Sequence, residues 1–140
     1  MKCKVAIALL LALAGIALAH ADTRETQQRN LERFERYAGA PVGEFDFWSL
    51  YKFQVVGPEN VVVWSTIKDA YLLSVDSPCP RLEFANAIGV TSQQRHVVSS
   101  KFDYVTFGHD RCKIREIRPI DYQQMLKDGP DAAKQDAAKD

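Results

Sequence analysis

Two cysteines constrain this chain more than any other feature. Cys79 sits in Pro78-Cys79-Pro80 and Cys112 in Asp110-Arg111-Cys112-Lys113. The third, Cys3, precedes an apolar run at the amino terminus and is lost if that run is cleaved away. β-like segments flank both members of the pair, so a bond between them would tie the middle of the chain to its last strand. The two lie 33 positions apart, wider than the close Cys-x-x-Cys usual for a catalytic redox pair. His109 and Cys112 stand three apart, and Cys79 joining them would make a metal site. Structural zinc wants four ligands in paired spacings, and no second Cys-x-x-Cys or His-x-x-His is present. A disulfide is the favoured reading, with metal and redox roles behind it.

The compartment follows from the amino terminus. Met1-Lys2-Cys3-Lys4 is basic, 5–19 is apolar throughout, and Ala17-Leu18-Ala19 and Ala19-His20-Ala21 both fit a small-residue cleavage site. The apolar run is shorter than the ~20 residues a membrane-spanning helix needs. Residues 1–21 are expected to be a cleaved signal peptide. Ile16 follows Leu13-Ala14-Gly15 where a lipid-carrying cysteine would stand, so no lipid anchor is expected. The whole chain carries 18 Lys+Arg and 18 Asp+Glu. Lys2 and Lys4 leave with the signal and no acid does, which makes 16 against 18, a net charge near −2. That balance argues against a nucleic-acid or polybasic membrane binder.

Residues 23–38 show a narrow helical stripe, Leu31, Phe34 and Tyr37 or Ala38, on an otherwise charged segment. Asp22 with Glu25 three residues on makes a capping box, and Gly39 and Pro41 end the helix. The stripe is expected to dock on the protein's own sheet, three or four apolar residues being a weak membrane anchor.

From Phe45 to Val55 apolar and polar residues alternate over eleven positions, which predicts one half-buried strand. Gly57-Pro58-Glu59-Asn60 is turn chemistry. Val61 to Thr66 and Ala70 to Val75 are rich in β-branched and aromatic residues and complete a meander on short connections. Pro80 opens a short helix carrying Leu82, Ala85 and Ile88 on one face before Gly89 stops it. Val90 to Ser100 has no clear period. Lys101 to Phe107 alternates again, and Cys112 to Ile117 is the last predicted strand.

Tyr122 to Leu126 predicts one helical turn. Residues 127–140, with Asp131-Ala132-Ala133-Lys134 and Asp136-Ala137-Ala138-Lys139, form a low-complexity tail that cannot bury enough to fold alone. The expectation is a mainly β chain with one domain over 22–126. Its small antiparallel sheet of five to six strands is strongly curled or closed into a barrel, with a leading helix and a short helix in the cysteine loop.

No motif specifies a reaction: G-x-S-x-G, H-E-x-x-H and the glycine-rich phosphate loops are all missing from the sequence. His96 and His109 lie in polar, turn-like stretches and read as solvated. Asp46, Asp69, Asp103 and Asp110 give no reason to choose an acid–base pair among them. A ligand or partner surface has candidates in Trp48, Tyr51, Trp64 and Tyr71, in or beside strands, though core packing competes for each. Arg111, Lys113 and Arg115 project from one face of the last strand and would serve an anion, or simply discourage edge pairing. No cofactor is implied.

Arg33-Phe34-Glu35-Arg36-Tyr37-Ala38-Gly39-Ala40-Pro41, Ser77-Pro78-Cys79-Pro80-Arg81-Leu82 and the segment Arg111-Cys112-Lys113-Ile114-Arg115-Glu116-Ile117-Arg118-Pro119, with Ala87-Ile88-Gly89-Val90-Thr91-Ser92 between, occur together. Over roughly residues 31–121 this set resembles a family of small exported bacterial proteins known as domain-of-unknown-function family 6491. The resemblance supports pairing Cys79 with Cys112 and implies no activity, ligand or catalytic residue. The functional expectation is an exported periplasmic or secreted, non-catalytic module that binds a protein or cell-envelope component. The alternative is a small hydrolase-like or metal-dependent protein using His109 and nearby acids.

Overall fold

The β-branched runs do what their composition predicts. In the computed structural model, which describes residues 23–129, β2 (Lys52–Val55), β3 (Asn60–Trp64) and β4 (Ala70–Val75) form an antiparallel meander. The expected signal peptide (1–21) and residues 130–140 of the expected tail lie outside the described residues.

The meander is half of a six-stranded antiparallel sheet, order β2-β3-β4-β8-β7-β5, curled into a half-barrel. The other half comprises β8 (Asp110–Ile120), β7 (Tyr104–Phe107) and the two-residue β5 (Gly89–Val90). A second sheet pairs β1 (Glu44–Asp46) with β6 (Val97–Ser99). A leading helix, α1, covers residues 23–36, and α2 covers Tyr122–Asp128.

Both faces of β3 and β4 are buried, which is why Val61-Val62-Val63-Trp64 is a continuous apolar run rather than an alternating one. Val61, Val63, Leu73, Val75, Ile114 and Ile117 pack on one face with Phe45, Val98, Cys79 and Leu82. Val62, Trp64, Ala70, Leu72 and Ile120 pack on the other against Phe34 of α1 and Met125 of α2. The stripe on α1 therefore docks on the protein's own sheet, with Phe34 edge-on to Trp64 at 5.9 Å. Just past the helix, the Arg118 guanidinium donates to the carbonyls of Gly39 (2.9 Å) and Ala38 (3.2 Å). The capping residue expected at Asp22 lies outside the described residues.

Four local expectations change. The eleven-residue alternation from Phe45 is two strands, not one: β1 leaves to pair with β6, β2 stays in the meander, and 47–51 bend between them. Alternation reports which face a side chain takes and not which neighbour its backbone pairs with. The helix expected in the cysteine loop shrinks to a 3₁₀ turn, Leu82–Phe84, because Arg81 (φ 73°) and Ala85 (extended) bracket it. The last strand is longer than Cys112 to Ile117 and runs through Pro119. Between Ser74↔Glu116 and Val75↔Ile114 a bulge leaves Arg115 unpaired, so Ile114 and Ile117 reach the same core despite their odd spacing. Finally, α2 takes Lys127 and Asp128 from the expected tail. Asp121 caps it by accepting from Gln124 N, and Asp128 accepts from the Tyr37 hydroxyl at 2.7 Å.

Cys79 and Cys112 are bonded, with Cα atoms 6.0 Å apart. The bond joins the start of the 82–84 turn to β8, and Leu82, fully buried, fills the core beside it.

Candidate functional site

The β1–β6 pairing sets two loops side by side. Glu44↔Ser99, Phe45↔Val98 and Asp46↔Val97 are in register, and the next residue, Phe47, donates its N–H to the His96 carbonyl at 2.9 Å. Trp48 then turns outward and stacks on the His96 imidazole, ring centroids 3.7 Å apart and planes 19° from parallel. It is nevertheless 76% exposed. One face of the indole is thus supported and much of the rest meets solvent, an unusual placement for so large an apolar ring.

The His96 loop is held from below. Asp103 is fully buried, and its carboxylate accepts from the Thr91 hydroxyl (2.8 Å), Gln93 N–H (2.9 Å) and Ser99 N–H (2.7 Å). Ser92 Oγ lies 2.7 Å from the Val97 carbonyl and 3.1 Å from the Val97 N–H. These bonds fix 91–99 tightly enough to keep His96 at φ 59°, a conformation uncommon outside glycine. Tyr51, 60% exposed, follows on the same 47–51 bend, its N–H bonded to the Trp64 carbonyl at 2.8 Å.

The other sequence candidates scatter. Trp64 is 1% exposed and lies in the core beneath α1 and α2, with Lys52 Nζ 4.6 Å from its ring centroid. Tyr71 is half-buried, stacked on Phe45 at 4.0 Å. Arg111 and Lys113 flank the Tyr104 ring at 4.7 and 5.5 Å, and Lys113 also donates to the Ser100 carbonyl at 2.6 Å. Arg115 is exposed at the bulge. The structure therefore brings Trp48 together with His96, which the sequence places in a polar, turn-like stretch.

His109 and Asp110 line a separate cavity of about 330 Å³, together with Arg81 and Asn86. Asp110 is ion-paired with Arg81, and the two thiols are spent on each other. Among the described residues no hydrogen bond or ion pair joins His109 to an acid, and no three His, Cys, Asp or Glu side chains gather to hold a metal.

Burial raises the Tyr71 hydroxyl above its ordinary pKa of 10.0, and the nearby carboxylates of Asp69 and Asp46 add to the effect. The phenol stays neutral in the folded protein at a pH where the unfolded chain ionises it. Its contribution to stability is complete below the unfolded pKa and is lost as pH rises through the folded value. Denaturant titrations in alkaline buffers should show stability falling above pH ~10, and falling less steeply in Tyr71→Phe. An identical slope in both proteins would refute the assignment.

The sequence matches, over residues 1–136, the family described as a family of unknown function (DUF6491). The chain belongs to this family. DUF6491 membership extends beyond the stretch in which the cysteine segments suggested it. Neither the curated proteins nor the solved structures contain a match to the chain.

Proposed function

We propose that this DUF6491 protein is an exported, non-catalytic binding module, locked by its disulfide, that engages a protein or cell-envelope component through the surface built on Trp48. The carrying observation is the stacked but open indole: Trp48 is 76% exposed although two loops cooperate to hold it. Aromatic anchors of this kind dominate binding energies at interfaces, and Tyr51 supplies a second exposed ring on the same bend.

Two further observations support export. The first 21 residues have the charge, apolar core and small-residue end of a signal peptide. Disulfides persist in oxidising compartments. Among the described residues no helix is long and apolar enough to cross a membrane.

Co-sedimentation of the purified protein with envelopes from the producing cells tests the reading. Trp48→Ala should weaken retention by at least about 30-fold, the size of a hot-spot truncation. Its melting temperature should fall by no more than a few degrees, because the position is exposed and only the stack on His96, worth about 0.5–1.5 kcal/mol, is lost. Equal retention of the two proteins would remove Trp48 from any binding surface.

A further inference from the structure

A second site lies along α1, away from Trp48 and His96 in its lining residues. One face of α1 forms one wall of a cleft of about 620 Å³, and Val56-Gly57-Pro58, after β2, forms the other. The helical residues involved recur at i, i+3/i+4 and i+7 spacing, so a single stripe next to the core-facing one is committed to the cleft. Leu31 and the Val56–Pro58 segment make its walls partly apolar. The 3₁₀ turn closes it: Gln27 Nε2 donates to the Glu83 carbonyl at 2.9 Å. The volume is in the range of cavities that take small organic molecules, which run from ~300 to ~1,000 Å³.

The charge around the cleft is one-sided. Among the described residues, Glu32, Glu35 and Glu83 line it against the single guanidinium of Arg24. Arg24 reaches Glu83 at 3.7 Å, and among the described residues no ion pair neutralises Glu32 or Glu35. Glu32 accepts one long hydrogen bond, from Gln28 Nε2 at 3.4 Å. An anionic ligand would meet repulsion there, and a neutral one would leave both negative charges uncompensated. Among the described residues no ring lines the cleft, which disfavours a quaternary ammonium held by aromatic faces.

We propose that this cleft binds a small organic cation with an apolar body, a primary ammonium or guanidinium whose N–H groups are met by Glu32 and Glu35. The site is independent of the Trp48 surface, so either can fail without the other.

The test uses the purified protein and four probes of one chain length: n-hexylammonium, n-hexylguanidinium, hexanol and hexanoate. Binding is followed through the backbone amide resonances of Leu31 and Gly57. The two cations should bind at least about tenfold more tightly than hexanol, as expected for a charge meeting two partly solvated carboxylates, and hexanoate should not bind. In Glu32→Gln/Glu35→Gln the cations should fall to the affinity of hexanol. Both carboxylates are exposed, so that variant should melt with wild type. Absence of cation binding, equal affinity for hexanol and hexylammonium, or affinity unchanged in the double variant would each overturn the proposal.

Discussion

Replacing Cys79 and Cys112 together by serine is expected to lower the unfolding free energy by about 3–4 kcal/mol. That follows from loop-closure entropy for a separation of 33 residues. The bond also holds the 3₁₀ turn on β8, and Leu82 behind it is fully buried in the larger core. Without the tie the segment between β4 and β8 is ordered only by its short strand pairings, the Asp103 hydrogen bonds and packing, in a chain small enough that its core leaves little to spare. Urea titrations of wild type with and without reductant, and of the double serine variant, check this. Reduced wild type and the variant should unfold at the same, lower midpoint. No change on reduction would mean the bond contributes nothing to stability.

Asp103→Ala is expected to cost about 3 kcal/mol. It leaves the Ser99 and Gln93 N–H groups and the Thr91 hydroxyl without their acceptor, each worth roughly 1–3 kcal/mol when buried, offset in part by removing a carboxylate from the interior. Asp103→Asn keeps one oxygen and sets its amide against a backbone donor, so about 1–2 kcal/mol is expected. The consequence reaches the surface. With 91–99 loosened, the Phe47–His96 hydrogen bond and the Trp48–His96 stack should loosen as well. Tryptophan fluorescence should then show Trp48 more accessible to an added quencher in Asp103→Ala than in wild type, while buried Trp64 stays protected. Unchanged stability and unchanged quenching would show that Asp103 does not support the loop.

The meander was legible because β-branched runs separated by turn residues leave little else to form. The same signal failed at 45–55: side-chain parity is preserved when a chain bends and finds a new partner strand, so β1 and β2 looked continuous. Residues 90–100 showed no period because β5 and β6 are only two and three residues long. The end of β8 was missed because Pro119 suggests a break. In the fold it pairs opposite Tyr71 on one side, while on the other its carbonyl accepts from the Gly39 N–H at 2.7 Å.

The site was legible in halves. Trp48 falls on the same face of the alternation as Asp46, Lys52 and Gln54, the polar one, whereas Trp64 closes a run buried on both sides. That distinction was present in the sequence, yet both tryptophans stood together as surface candidates. Asp103 shares parity with Val105 and Phe107, both buried, which marks it as an inward carboxylate in need of donors. Nothing near His96 announces a stacking partner 48 positions earlier. Only the β1–β6 pairing, formed by strands of three residues each, brings the two rings together.

The intact mass of the protein recovered from its producing cells, before and after reduction, tests export and the disulfide at once. The expected mass is that of residues 22–140, lighter by one disulfide's loss of hydrogen and rising by that amount on reduction. A chain that still begins at Met1 and carries free thiols at Cys79 and Cys112 would contradict an exported, disulfide-locked module.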